Sequence, residues 1–358
     1  MVLLTAVLFV GLLLTLVLVH EWGHFIVAKK AGCKVEEFGF GFPPRLWSFT
    51  WHGTLYSFNL FPIGGFVKIE GENMDEATPA NTSFAAKSAG KRIAILAAGV
   101  AMNMVLAFFL LSIQSGIGSP TIVTGENQHL SQIHTYIVTV APASPAQQAG
   151  LTPYDRIVAI GSFANPSVQQ IQQATKENLG KTVRLEIERG GIHTVKDVPT
   201  RENPPEGEGA LGISLAETGL SKTVWWKAPW AGLKKTGEMT SAIVVGFGNV
   251  IGQLVSGQGV GGSVTGPIGI AVYTNEVARM GGAYFLEFAA MISINLALVN
   301  ILPFPALDGG RIVFVVLESI MRRRLPSRIE GWAHTAGFAL LIGLMILITL
   351  KDVRHYFY

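Results

Sequence analysis

The chain has 358 residues, of which 49% are apolar and only 14% are charged, against about 25% charged residues in an ordinary soluble domain. The mean hydropathy of +0.41 agrees, so composition excludes a disordered chain and argues against a wholly soluble one. The net charge of +3, without a long Lys/Arg run, gives no sign of a nucleic-acid partner, and the single cysteine, Cys33, leaves only His, Asp or Glu to hold a metal.

The first predicted element is a transmembrane helix, because Val2 to Val19 is an uncharged apolar run long enough to enter a bilayer. A cleaved signal peptide is also apolar, but this run lacks a basic start and leads into His20 instead of a small-residue cleavage site. Three further apolar runs bring the predicted number of spans to four, and they cover residues 93–113, about 284–302, and 333–350.

The stretch from residue 238 to 255 is apolar but rich in Gly, Ser and Thr. It is either a fifth span or an interfacial or re-entrant segment, and the second interpretation fits better. Tryptophans alternate with lysines just before it, which suits the lipid headgroup layer; an ordinary surface helix is the alternative. These residues are Lys222, Trp225, Trp226, Lys227, Trp230, Lys234 and Lys235.

The distribution of basic residues predicts how the chain crosses the membrane. Lysines and arginines are concentrated between spans one and two and between spans three and four, and such loops are usually cytoplasmic. We therefore expect both termini outside, and the long segment from about Ser115 to Gly282 outside as well.

Much of this outer segment has the pattern of a small soluble domain. Residues 136–140 and 183–187 alternate as strands do, and a further strand is expected near 211–215. Between the first two strands, S-P-A-Q-Q-A-G-L from Ser144 and D-R-I-V-A-I from Asp155 resemble the core of a PDZ domain. Domains of that kind bind extended peptides by strand addition. The predicted organisation is an N-terminal membrane part (1–114), a PDZ-like α+β domain (115–218), an interfacial segment (219–282) and a C-terminal membrane part (283–358).

A metal site is predicted at the end of the first span, where His20-Glu21-Trp22-Gly23-His24 forms an H-E-x-x-H motif. Histidines four residues apart share one face of a helix, so both can bind one zinc ion. Glu21 is then placed to take a proton from the attacking water. Surface histidines on a helix are the alternative, but ionisable residues in an apolar span are usually functional.

The third metal ligand should come from elsewhere in the chain. Asp308 is the candidate, in N-I-L-P-F-P-A-L-D-G from Asn300 to Gly309 at the end of span three. Spans one and three both run inward, so their ends meet at the same depth and Asp308 can reach His20. An aspartate before glycine in an ordinary turn is the alternative.

Together these motifs resemble the site-2 protease family of intramembrane zinc metalloproteases, in the bacterial branch of the regulator of sigma-E protease. The resemblance covers nearly the whole chain. It implies that His20, His24 and Asp308 bind Zn²⁺ and that Glu21 is the catalytic base. It also implies single-pass membrane substrates, such as anti-sigma factors or signal-peptide remnants.

Two weaker matches concern substrate binding. Gly53 to Lys68 resembles a membrane-associated β-hairpin region of that family, with a Pro-x-Gly-Gly break; its candidate substrate-binding residues are Gly64, Gly65, Phe66 and Val67. Asn295 and Asn300 match polar positions that could hold a substrate backbone or an oxyanion. A purely structural hairpin, and hydrogen bonding between helices, are the respective alternatives.

The sequence thus predicts a polytopic α-helical membrane protein that cuts transmembrane segments of other proteins. We expect it in the bacterial cytoplasmic (inner) membrane, with its active site near the cytoplasmic face. Expected partners are membrane-protein substrates, the lipid bilayer and a peptide at the PDZ-like domain. The rival hypothesis is a non-proteolytic PDZ-containing scaffold with a vestigial metal site.

Overall fold

The computed structural model describes residues 2–72, 81–123, 130–205, 207–257 and 265–357. The helices in these ranges are α1 (Val2–Lys30), α2 (Ala89–Ile117), α3 (Pro145–Gln148), α4 (Val168–Glu177), α5 (Ala228–Val255), α6 (Pro267–Met280), α7 (Gly282–Ile301), α8 (Asp308–Met321) and α9 (Ser327–Phe357). The strands are β1 (Val35–Trp51), β2 (Thr54–Ile69), β3 (Ser119–Ile122), β4 (Ser131–Val140), β5 (Arg156–Ile160), β6 (Phe163–Ala164), β7 (Thr182–Arg189), β8 (Ile192–Pro199) and β9 (Ile213–Ser221).

The chain divides into two compact units. The first unit consists of Met1–Leu111, Gly232–Asn275 and Leu286–Tyr358, and the second of Ser112–Ala231 and Glu276–Phe285. The four-part division expected from the sequence remains a prediction.

Four helices of the described chain are long and apolar enough to cross a membrane, which confirms the predicted number of spans. They cover Ala6–Lys30, Ala89–Ile117, Gly282–Ile301 and Arg328–Arg354. The first, second and fourth of these helices continue beyond their apolar runs into charged or polar residues. The helix α5, which contains residues 238–255, is not among the four.

The first unit packs its helices closely enough that some contacts need glycine. A Cβ atom on Gly23 of α1 would lie 2.3 Å from the carbonyl oxygen of Ala98 on α2, so only a glycine permits this approach. A buried apolar cluster joins α1, the sheet, α2 and α8; its members are Ala28, Cys33, Val35, Ile69, Phe84, Ile95, Leu96 and Val315. The C-terminal end of α1, which the sequence predicts to lie near the cytoplasm, is therefore part of a packed core.

The β1–β2 pair is more than a simple hairpin. Residues 45–51 pair with 54–59 across the turn. Residues 37–40 also pair with 55–58 on one side, and residues 35–40 pair with 65–69 on the other. The break at Pro62–Gly65 therefore does not fold the two arms of β2 onto each other, because the first half of β1 lies between them. Within the described residues, no strand pairs with the other edge of the 65–69 arm.

The second unit contains an antiparallel sheet in the order β3-β9-β4-β5-β7-β8, with β6 paired to β5. The strands predicted over 136–140 and 183–187 are confirmed as parts of β4 and β7. The strand predicted near 211–215 overlaps β9, which begins later, at Ile213. Ser167 and Gln170 form a capping box at the start of α4. The core is apolar and includes Ile137, Leu151, Ile157, Ile160, Ile171, Leu185 and Ile187.

Candidate metal centre

Three side chains of the first unit converge on one point. His20 and His24 lie one turn apart on α1, and Asp308 is the first residue of α8. His20 Nε2 lies 3.1 Å from His24 Nε2 and 3.0 Å from Asp308 Oδ2, and His24 Nε2 lies 3.4 Å from the same oxygen. Both histidines are buried. The structure thus brings together the three residues that the sequence suggested as metal ligands.

These separations suit a tetrahedral ion. Ligand atoms at zinc distances of about 2.0–2.1 Å stand roughly 3.3 Å apart when they occupy tetrahedral corners, close to the three separations given above. Two neutral imidazoles and one carboxylate are ligands typical of catalytic zinc, with one corner left for water or substrate. The donor set and its geometry therefore fit zinc.

The two imidazoles are oriented by groups behind them. His24 Nδ1 lies 2.8 Å from the carbonyl oxygen of Ile95, and a hydrogen bond there leaves Nε2 facing Asp308. His20 Nδ1 lies 3.4 Å from the carboxamide of Asn103, which is completely buried on α2. Gly99, one turn before Asn103, provides the space that the rings occupy, since a Cβ there would lie 2.4 Å from His24 Nε2.

Asp308 is delivered by a loop whose prolines end one helix and whose glycines begin the next. Pro303 and Pro305 follow α7 and disfavour its continuation. A Cβ on Gly309 would lie 2.2 Å from the Ile301 carbonyl oxygen, and one on Gly310 2.2 Å from that of Phe304. The Asp-Gly-Gly sequence is therefore needed so that α8 can start tightly against the loop.

A cavity of about 350 Å³ opens beside His24 and Asp308. Half-buried Glu21 lines it together with one turn of α2, the 65–69 arm of β2 and the start of α8. Glu72 and Arg311 also line it and form an ion pair with each other. Glu21 thus shares a cavity with His24 and Asp308, as a group that handles a proton at this site must.

The other residues suggested for substrate binding are placed differently. Phe66 and Val67 line the cavity. A Cβ on Gly65 would lie 3.0 Å from Leu18 and 3.8 Å from Glu21 Cγ, so the strand passes close to α1. Gly64 has a φ of +113° and packs against the Phe42 ring.

The two asparagines of α7 lie elsewhere. Asn295 and Asn300 are half-buried, and neither is among the described residues that line the cavity beside Glu21.

Sequence reasoning did not assign Gly99, Asn103, Glu72 or Arg311 to this site. Gly99 and Asn103 are spaced by one helical turn on an apolar span, a signal that marks one helix face. Arg311 follows Asp308 by three residues and shares its face of α8. No local pattern indicates Glu72.

The fold and the site define a membrane metalloprotease, and comparison with known proteins agrees. The chain belongs to peptidase family M50, which it matches over residues 8–344; the predicted resemblance to site-2 proteases is confirmed. It is 30% identical to the zinc metalloprotease RasP of Oceanobacillus iheyensis, over 99% of each chain. It is also 34% identical to putative zinc metalloproteases of Clostridium perfringens (94% of this chain, 95% of the relative) and of a Nostoc species (97% and 95%). Relatives named RasP link the chain to the regulator of sigma-E protease branch.

Proposed function

We propose that this protein is a zinc endopeptidase that hydrolyses peptide bonds within transmembrane segments of single-pass membrane proteins. One observation carries the proposal: Nε2 of His20, Nε2 of His24 and Oδ2 of Asp308 lie within 3.4 Å of one another in a chain with four membrane-length helices. A glutamate that is not in this triad lies in the same cavity.

His20, His24 and Asp308 would hold the zinc ion, which when bound polarises a peptide carbonyl and acidifies water. Glu21 serves as the general base: it orients the attacking water, takes its proton, and delivers that proton to the leaving amine. Its position one residue after His20 directs its carboxylate into the cavity rather than onto the ligand triad.

A transmembrane helix hides its carbonyl groups in internal hydrogen bonds, so it must become locally extended before hydrolysis. The 65–69 arm of β2 lines the cavity, and its outer edge pairs with no strand of the described chain. We infer that the extended substrate adds to this edge as a strand, which replaces its lost hydrogen bonds without exposing backbone to lipid. Gly64, Gly65, Phe66 and Val67 then belong to the substrate site, since Gly65 passes beside Glu21.

The remaining assignments follow from the sequence motifs. Asn295 and Asn300 are proposed to hold the substrate backbone or the oxyanion. The second unit is proposed to be a PDZ-like domain that receives a peptide or substrate segment. The four-part division at residues 114, 218 and 282 is proposed on the same grounds. The basic loops support a topology with both termini outside and the active site near the cytoplasmic face. The bacterial relatives support a location in the bacterial inner membrane, and anti-sigma factors and signal-peptide remnants are suitable substrates.

Replacing Glu21 by Gln tests the proposed chemistry. We expect the full-length variant, purified in detergent, to retain about one zinc per chain, because the carboxylate is not a ligand. Cleavage of a single-pass test substrate should fall by at least about 100-fold, because general-base catalysis is lost. Zinc is measured by elemental analysis, and cleavage by the appearance of the shortened product.

Glu238→Gln is the matched control, since Glu238 is an exposed helical glutamate outside the cavity, and it should cut at the wild-type rate. Equal cleavage by wild type and Glu21→Gln would contradict the assignment of the base. If the wild-type protein binds peptides but neither binds zinc nor cuts the substrate, the result would instead support the rival hypothesis of a scaffold.

A further inference from the structure

The two imidazoles of the metal centre differ in what lies behind them. Behind His24 is a backbone carbonyl oxygen, that of Ile95, which can only accept a hydrogen bond. Behind His20 is the carboxamide of Asn103, whose Nδ2 lies 3.4 Å from His20 Nδ1. A carboxamide carries both donors and an acceptor, so its orientation determines what it offers to the ring.

A histidine that binds a metal through Nε2 keeps its proton on Nδ1, and that N–H needs an acceptor. The Oδ1 atom of Asn103 is buried and, among the residues that the structure describes, has no hydrogen-bond partner. A buried acceptor without a partner is costly. A half-turn of the carboxamide exchanges its oxygen and nitrogen within the same outline and directs Oδ1 at His20.

The backbone of Asn103 is fixed independently of its side chain. Ser293 on α7 donates its hydroxyl hydrogen to the carbonyl oxygen of Asn103 at 2.8 Å. This bond ties α2 to α7 at the level of the metal centre, while the carboxamide can turn about its own Cβ–Cγ bond. Asn103 therefore has a fixed backbone and a side chain that can turn to accept the Nδ1 proton of His20.

We propose that Asn103 is a positioning residue of the metal centre: its Oδ1 accepts the Nδ1–H of His20 and holds the ring with Nε2 towards Asp308. The proposal rests on the zinc site described under Proposed function. It explains a completely buried polar side chain on an apolar helix and gives both imidazoles an acceptor. Partners of this kind in other zinc sites contribute about 10- to 100-fold to metal affinity.

The test compares zinc affinity in three variants of the full-length protein, by competition with a chelator of known affinity. Asn103→Leu keeps the outline of the side chain but has no acceptor, and should bind zinc about 10- to 100-fold more weakly. Asn103→Asp presents an acceptor whichever way it turns, and should bind zinc at least as tightly as wild type. Ser293→Ala removes the backbone tie but not the acceptor, and should stay near the wild-type affinity.

Thermal unfolding in the presence of a strong chelator shows whether each variant folds like wild type. Wild-type affinity in a folded Asn103→Leu variant would overturn the proposal and leave the zinc protease intact. An equal loss of zinc affinity in the Leu and Asp variants would also overturn the proposal, because it would show that Asn103 serves only the packing of the helices. A wild-type protein that binds no zinc would overturn the proposed function itself.

Discussion

Gly99 shows how one absent methyl group makes room for the metal centre. A Cβ at this position would lie 2.4 Å from His24 Nε2 and 2.7 Å from His20 Nε2, well inside any permitted contact. Both atoms are the proposed zinc-binding nitrogens. The rings can move away only by giving up their present contacts, because both are buried and are held from behind at Nδ1. The glycine at position 99 therefore leaves room for the two imidazole rings and also allows the helices to pack closely.

We expect Gly99→Ala to displace the imidazoles, weaken zinc binding by at least about 10-fold and slow cleavage in parallel. Chelator competition and cleavage of a single-pass substrate measure the two effects. Gly90→Ala is the control on the same helix, since a Cβ there would meet nothing within 4 Å. Unchanged zinc affinity in Gly99→Ala would show that the ligands are not where we place them.

At the residue scale, the sequence was informative where chemistry is encoded by spacing. His20, Glu21 and His24 follow from one local motif, and Asp308 follows from the direction of two spans. Gly99 and Asn103 were not predicted as site residues because their role depends on contacts with residues more than 70 positions earlier. Such contacts are decided by how two helices face each other, which an apolar span with little amphipathic signal does not reveal.

At the scale of elements, the sheet formed by β1 and β2 has apolar side chains on both faces. Large apolar side chains stay exposed on it, among them Phe42, Leu46, Trp47, Trp51 and Phe61. Alternation of polar and apolar residues, the usual strand signal, is therefore weak. The sequence predicted strands within β2 but did not predict β1. The helix α8, a short element that only begins at Asp308, was not predicted either.

The 65–69 arm of β2 allows a paired test of strand addition. Adjacent residues of a strand direct their N–H groups to opposite edges. Phe66→Pro and Val67→Pro therefore remove donors from different edges. We expect Val67→Pro to slow cleavage of stably helical substrates by roughly 10-fold, since one lost hydrogen bond to an extended substrate costs about 1 kcal/mol or more. Substrates with helix-breaking Gly or Pro near the cut should be affected less.

The measurement is the ratio of cleavage rates on the two substrate types, in variants that retain zinc. Phe66→Pro serves as the comparison for damage at the opposite edge of the same arm. If both variants keep the wild-type ratio of rates, the arm is a structural element and the substrate binds elsewhere.

At the scale of the whole molecule, the second unit depends on a buried charge of its own. Asp155 is completely buried and accepts hydrogen bonds from Arg189 Nε at 2.6 Å and Nη2 at 2.7 Å. The backbone N–H of Thr152 donates to it as well. These bonds tie the turn before β5 to the end of β7, so the stability of the second unit can be changed without touching the ligands in the first.

We expect Asp155→Ala to destabilise the second unit by about 2–3 kcal/mol, because charged hydrogen bonds are lost and Arg189 is left without its carboxylate. Hydrogen exchange of the β5 and β7 amides should accelerate by about 30- to 140-fold. Zinc content should be unchanged. Asp197→Ala, at an exposed position on β8, is the control and should have little effect on exchange. Loss of zinc in Asp155→Ala would mean that the metal centre depends on the second unit.

The sequence predicted the four spans and three strands of the second unit because long apolar runs and alternating segments are local signals. It could not predict that residues 276–285 would join the second unit, since nothing in so short a stretch records its distant neighbours.

The distance along the chain between His24 and Asp308 has a consequence for how the enzyme is made. About 280 residues separate them, and a ribosome that adds about 5–20 residues per second needs roughly 15–60 s to cover that interval. During this time the nascent chain carries the two proposed histidine ligands and Glu21 but not Asp308, the proposed third ligand. The proposed metal centre can therefore be completed only after the chain has been synthesised as far as Asp308.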